Sequence, residues 1–182
     1  MGNHMANRTL FVALFWILST ANRGFACSAE LRPDPTTVVT GADLILRVTA
    51  VEYFGVQPPL SERRLWNSNI RFSVEEVVKG TYTKRDLILP GFLTDRDDWN
   101  DRPVPYHAAR PEARGGSCFA NGYRKGGHFL LMLKKWDGSL SYWIAGDPQD
   151  GYTVNWYALG PVNEQLRSAN DPWVVWVREQ VL

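Results

Sequence analysis

The sequence predicts a small, mainly β domain, with five or six strands that close into a barrel and a helix at the C-terminus. Short runs in which apolar and polar residues alternate are typical of half-buried strands. Turn-forming residues separate these runs. The final run instead has its apolar residues at helical spacing, which predicts the helix. A barrel is predicted because closing the sheet removes the unpaired edges that an open sheet would have.

The composition indicates one folded domain. A chain of 182 residues that is 45% hydrophobic and 21% charged can bury a core, and it is not disordered. A formal net charge of +1 argues against a nucleic-acid-binding protein, which needs a basic surplus. Two cysteines are too few for a disulfide-dense scaffold or a four-cysteine zinc site, and we expect neither a metal nor another cofactor.

Residues 1–26 have the features of a cleaved secretory signal peptide. Arg8 precedes an apolar run of nine residues, which is too short to span a bilayer. Small residues allow cleavage after Ala21 or after Ala26, and we prefer the second site because it leaves Cys27 as the first mature residue. Lipidation of Cys27 is less favoured, because an aliphatic residue is missing three positions before it.

Export changes the interpretation of the charges and the cysteines. Without the signal, residues 27–182 contain 18 basic and 19 acidic side chains. An oxidising compartment favours a disulfide between Cys27 and Cys118 over a thiol site. The bridge would close a loop of roughly 90 residues and stabilise the domain by about 4 to 5 kcal/mol. We therefore expect a single secreted or periplasmic domain with no stable membrane span.

The N-terminal half is predicted to contain three strands: Leu44–Phe54, Ile70–Gly80 and Asp86–Leu89. The segment 33–43, rich in proline and threonine, is expected to form turns before the first strand. In the second strand, Glu75 and Glu76 interrupt the alternation and predict a β-bulge. The segment Gly55–Asn69 contains two prolines and is expected to be a loop.

The C-terminal half is predicted to contain three more strands: His128–Leu133, Leu140–Ile144 and Tyr152–Tyr157. An Asp-Gly pair between the first two indicates a hairpin. Asp171 and Pro172 are the cap and first residue of a helix. Its apolar face consists of Trp173, Trp176, Val177 and Val181. The polar segment Gly91–Ser117 is expected to be a long loop, and loops of such length are often functional.

An enzyme is not expected, because no motif of convergent catalytic residues occurs. Cys118 could form a thiol–imidazole pair with His107 or His128, but the predicted disulfide would abolish it. We expect a solvated His107 and a barrel-end or core His128. An oxygen-rich run could bind calcium, but its spacing lacks the EF-hand pattern, and a solvated loop is expected. This run consists of Asp95, Asp97, Asp98, Asn100 and Asp101.

Two tryptophans are candidates for contact with a partner. Trp66 and Trp99 lie in predicted loops, and tryptophan is enriched among the residues that contribute most to protein interfaces. By contrast, Trp173 and Trp176 are expected to pack the C-terminal helix.

The order of these features resembles the netrin-like module. The resemblance consists of a mature N-terminal cysteine, the strand ADLILRVTAVE, a strand ending EEVVKG, and a cysteine shortly before GYRKGGHFLLML. This module is the OB-type barrel of the N-terminal domain of tissue inhibitors of metalloproteinases and of secreted bacterial relatives. The resemblance implies an OB-type barrel from Cys27 to about Ile144, with the first cysteine tied to the barrel.

In those inhibitors the amine and carbonyl of the first cysteine chelate the zinc of the protease. By resemblance, Cys27 would be the chelator and Ser28 its neighbour. Ala29 stands where the inhibitors have a second cysteine, which favours a disulfide that only anchors the N-terminus. We therefore predict a protein-binding module for another extracytoplasmic protein, in which Cys27, Ser28, Trp66 and Trp99 are the binding residues. The alternatives are a metalloprotease inhibitor acting through the Cys27 amine and a secreted hydrolase or thiol enzyme.

Overall fold

A computed structural model describes residues 34–55, 68–114, 120–135, 156–159 and 163–181. These residues form a mainly β domain with a C-terminal helix, as the sequence predicts. The elements are α1 (Pro35–Gly41), β1 (Leu44–Phe54), β2 (Asn69–Lys79), β3 (Asp86–Pro90), β4 (Phe92–Thr94), α2 (Pro111–Arg114), β5 (Gly122–Arg124), β6 (His128–Lys135), β7 (Trp156–Ala158), β8 (Glu164–Leu166) and α3 (Pro172–Val181).

Six strands form one antiparallel sheet. Its order is β3-β2-β1-β6-β7, and β8 pairs with the beginning of β6. The terminal strands β3 and β7 come within 8 Å of each other between Cα atoms, so the sheet curls back on itself as an OB-type barrel would require. The strands β4 and β5 form a separate parallel ribbon beside this sheet.

Alternation along β1 divides its apolar residues between two cores. One set faces the inside of the curled sheet, together with residues of β2, β3 and β6: Leu44, Leu46, Val48 and Ala50. Ile45 faces the other side, where α1 and α3 cover the sheet. Both faces of β1 are therefore buried along its first half, which explains why the apolar content of this strand is so high.

The predicted bulge in β2 is confirmed. Arg47 of β1 pairs with Glu76 and the next residue, Val48, pairs with Val74, so that Glu75 is the extra residue. A bulge re-aims the side chains around it. Here it places Glu75 on the same face of the sheet as Arg47, whose Nε lies 3.1 Å from a Glu75 carboxylate oxygen.

The helix α1 lies in the segment that was predicted to form turns, and that prediction is wrong. The Asp34 carboxylate accepts a hydrogen bond from the Thr37 backbone N–H at 3.0 Å, and Pro35 occupies the first turn. At the other end, the Lys79 ammonium donates to the Val39 carbonyl at 2.8 Å. Asp-Pro is the same start signal as in α3, but the surrounding threonines and glycine favoured a turn.

Other sequence predictions have mixed outcomes. The strands predicted from Leu44, Ile70, Asp86 and His128 are present. The long predicted loop contains β4 and α2, and it is therefore more structured than expected. The strand β8 was not predicted. The predicted signal, the loop after Gly55 and the hairpin turn with its return strand lie outside the described residues.

The C-terminal helix begins as predicted. One Asp171 oxygen accepts from the Trp173 backbone N–H at 2.9 Å, and Pro172 is the first helical residue. Trp173 is only 1% exposed and lies between two rings, with centroids 5.0 Å from Tyr106 and 5.1 Å from Trp176. In the described part of the chain, no helix is long and apolar enough to cross a membrane.

Replacing Trp173 should test how far α3 holds the outer core together. Trp173→Ala is expected to lower the free energy of unfolding by about 3–5 kcal/mol, because it removes a fully buried aromatic side chain. Val175→Ala is the matched control on the same helix, since Val175 is 42% exposed, and it should change stability by less than about 0.5 kcal/mol. Urea denaturation measures both; similar losses would contradict the packing described here.

Candidate binding surface

A buried arginine organises the segment between β3 and β5. Arg110 is 1% exposed, and its guanidinium makes four hydrogen bonds. Its Nε donates to the Asn163 carbonyl at 2.8 Å, and one terminal nitrogen donates to the Asp98 carboxylate at 2.7 Å. The other donates to the carbonyls of Ala120 and Gly122, both at 2.6 Å. These bonds satisfy nearly all of the guanidinium N–H groups and balance its charge.

Aromatic rings complete the surroundings of this guanidinium. The central carbon of Arg110 lies 5.7 Å from the Tyr123 ring centroid and 5.6 Å from that of Phe129. Such distances allow cation–π attraction. Burial raises the pKa of the Tyr123 hydroxyl, which accepts a hydrogen bond from the Asn163 amide at 2.9 Å. The rings belong to β5 and β6, so Arg110 fixes its segment against both strands.

Several residues of the acidic run bind other parts of the chain. Asp97 accepts from Gln165 Nε2 at 2.6 Å and lies 3.1 Å from Arg124 Nε. Hydrogen bonding to Arg114 holds the pKa of the Asp101 carboxyl below its ordinary value. No group of three or more His, Cys, Asp or Glu residues among those described could hold a metal ion.

The expectation of a solvated loop is wrong for part of this run. Asn100 is 2% exposed, and its amide donates to the Ala108 carbonyl at 2.9 Å and to Glu164 at 3.1 Å. Asp98 is mostly buried against Arg110. The polar residues of this segment satisfy one another inside the protein, as buried polar groups must.

Trp99 is a large hydrophobic residue of this segment that lies on the surface, with 41% of it exposed. Its backbone forms a β-bridge with Gln165, and its neighbours Asp98 and Asn100 are anchored as described above. The Arg167 guanidinium lies over the indole, with its central carbon 5.5 Å from the ring centroid. We call Trp99, Arg167 and the flanking residues 95–102 the Trp99 surface.

A groove of about 680 Å³ adjoins the Trp99 surface at the ends of β1, β4 and β5. The hydroxyl of Tyr53 accepts a hydrogen bond from the Leu93 backbone N–H at 3.0 Å on its floor. The groove is connected to the Trp99 surface through Asp97, which binds the groove residue Arg124. The lining residues are Glu52, Tyr53, Leu93, Thr94, Asp95, Arg124 and Lys125.

A second polar cluster lies on the outer face of the sheet. His128 is the first residue of β6 and is half exposed. Its Nδ1 lies 2.6 Å from Glu75 Oε1. The same Glu75 oxygen accepts a hydrogen bond from the Thr49 hydroxyl. Burial opposes ionisation of Glu75, but the bonds from Thr49 and His128 and the Arg47 charge outweigh it and lower its pKa. The neighbouring Glu76 binds Arg178 of α3 at 2.8 Å.

The structure describes three of the residues that sequence reasoning considered: Trp99, His107 and His128. Trp99 lies on the surface defined above, His107 is exposed as predicted, and His128 is a strand-end residue bound to Glu75. Cys27, Ser28, Trp66 and Cys118 lie outside the described residues. Arg110 and Arg167, on which the Trp99 surface depends, were not predicted, because nothing in the local pattern distinguishes a buried arginine from an exposed one.

Comparisons of the chain with protein-family models, curated proteins and solved structures found no match. The function must therefore be inferred from the chain itself.

Removing the Arg110 guanidinium should destabilise the protein strongly. Arg110→Ala leaves Asp98 and three carbonyls without their partner, and the expected loss of unfolding free energy is about 3–5 kcal/mol. Arg110→Lys should also be destabilising, because an ammonium group cannot reproduce the planar set of bonds. Arg102→Ala is the control, since this side chain is 58% exposed, and urea denaturation should show a change below about 0.5 kcal/mol.

The Glu75 cluster should make stability depend on pH. A carboxyl whose pKa is lowered in the folded protein stabilises the fold above the ordinary glutamate pKa, and this contribution disappears as pH falls through the lowered value. Glu75→Gln should therefore be less stable than the parent protein at pH 7, and the difference should shrink towards zero in acid. Thermal melts between pH 7 and pH 3 test this, and a difference that is constant with pH would contradict it.

Proposed function

We propose that this protein is an exported binding module that engages another extracytoplasmic protein through the Trp99 surface. The observation that carries the proposal is an exposed tryptophan on a segment whose backbone is fixed from inside. Trp99 is 41% exposed, whereas Asn100 beside it is 2% exposed and Arg110, which anchors the segment, is 1% exposed. A polar segment that only connected two strands would not need such an anchor.

Rigidity of this kind favours binding. Ordering a flexible loop on association costs free energy, and a preorganised contact residue avoids much of that cost. Tryptophan and arginine are the residue types most enriched among interface residues that dominate affinity, and Trp99 and Arg167 are stacked together. The groove next to them offers further contact area with both charged and apolar side chains.

The proposal includes export and the netrin-like OB-type barrel, which rest on the sequence. The mainly β architecture, the curled six-stranded sheet and the C-terminal helix support it. A small barrel of this kind presents loops at its ends, and loops on a rigid scaffold are common binding elements. Residues 95–102 of the Trp99 surface lie in one such loop region, between β4 and α2, and Arg167 lies in another, between β8 and α3.

Site-specific photo-crosslinking can test the proposed interface. A photoreactive amino acid at position 99 should crosslink the full-length protein to a discrete protein in a native envelope extract. The same amino acid at position 175 is the matched control, because Val175 on α3 is equally exposed but lies on another element. Trp99→Ala should weaken the captured complex by at least about tenfold, as loss of an interface anchor does, with unchanged urea denaturation. Equal crosslinking at both positions would overturn the proposal.

A further inference from the structure

Three of the acids around Trp99 are paired with arginines, whereas two nearby arginines have no acidic partner among the described residues. Asp97 lies 3.1 Å from Arg124, Asp98 lies 2.7 Å from Arg110, and Asp101 lies 2.5 Å from Arg114. The run of acids in the sequence is therefore largely neutralised by the protein itself. The charge that this surface presents to a partner therefore depends on the charged side chains that have no ion pair.

Two arginines beside Trp99, Arg96 and Arg167, form no ion pair with any described residue. Arg167 is the better placed of the two, because its position is fixed. One of its terminal nitrogens donates to the Asn100 carbonyl at 3.0 Å, and its guanidinium lies over the Trp99 ring. Among the described residues, its Nε and its other terminal nitrogen have no hydrogen-bond acceptor, and Arg167 is exposed to solvent.

We propose that Arg167, held on Trp99, is a carboxylate-binding anchor and that the partner supplies an isolated aspartate or glutamate side chain. This inference rests on the proposed function, since it names the chemistry of the partner at the same surface. A guanidinium presents parallel N–H donors that match the two oxygens of a carboxylate. Stacking and the bond to Asn100 fix the guanidinium before the ligand arrives, so that little side-chain freedom is lost on binding.

The surroundings favour an isolated carboxylate over a dense polyanion. Asp95 lies next to Arg96 and is exposed, and the carboxylates of Asp97 and Asp101 are partly exposed although they are paired. These negative charges would repel a nucleic acid or an anionic lipid surface, which brings many closely spaced charges. A single aspartate or glutamate on a protein segment brings one charge, and its repulsion by these acids is much smaller.

Nuclear magnetic resonance titration of the labelled full-length protein tests the inference. The probe is a blocked glutamate peptide, made of glycines with one central glutamate, and its control is the same peptide with glutamine in that position. The glutamate peptide should shift the Arg167 Nε–H and Trp99 indole N–H signals in a saturable manner, while the glutamine peptide leaves them unchanged. The signals are assigned with Arg167→Lys and Trp99→Phe.

Two matched variants decide whether Arg167 acts specifically. Arg167→Gln should weaken binding of the glutamate peptide by about tenfold or more, as expected for loss of a charge-assisted bidentate contact. Arg85→Gln removes the same charge from an exposed arginine that precedes β3, outside the Trp99 surface, and should change the affinity by less than about twofold. Equal weakening by both variants would overturn the inference, because it would show only general electrostatic attraction.

The remaining outcomes separate this inference from the proposed function. Absence of peptide binding, or equal binding of both peptides, overturns the carboxylate anchor, and a protein crosslink at position 99 would then leave the binding function standing. Absence of both results overturns both. Vesicles of anionic phospholipid that shift the same signals, when the glutamate peptide does not, would overturn the inference in favour of a membrane surface.

Discussion

The arrangement of this domain around the Trp99 surface depends on one buried guanidinium. Moving a charge out of water is costly unless its charge and its hydrogen bonds are satisfied. Arg110 meets that condition only where Asp98, the carbonyls before and within β5, and the Asn163 carbonyl converge on it. Three stretches that are distant in sequence must therefore assemble together. The position of Trp99, next to Asp98, follows from this assembly.

The same constraint explains why the long polar segment is ordered. Polar, proline-containing sequence is typical of a loop, because it offers few apolar side chains to a core. The structure shows a different way to bury such a segment. Asn100 and Arg110 bind backbone carbonyls and carboxylates inside the protein, so their polar groups are satisfied away from water. Composition alone does not reveal whether polar groups face one another or face solvent.

The sequence predicts the features that are determined by a few neighbouring residues, and it does not predict those that depend on residues far along the chain. The alternation of β1 and β2, the bulge at Glu75 and the cap at Asp171 arise within a few residues, and the sequence predicted each of them. The short strands β5 and β8 were missed because each has only three residues and is defined by its partners: β4 and β6. Trp99 was predicted as a contact residue because it lies outside a periodic pattern. Arg110 and Arg167 depend on tertiary neighbours, and no sequence pattern indicated them.

The acidic run shows why residue type is an insufficient guide to ligand type. Carboxylates form a cation site when several converge on one point and lack other partners. Here Asp97, Asp98 and Asp101 diverge towards three different arginines. Each of these acids is therefore engaged by its own arginine, and no group of three among the described residues could hold a metal ion. In the sequence, this segment suggests a cation site. In the folded protein, it lies beside the Arg167 guanidinium, which stacks on Trp99.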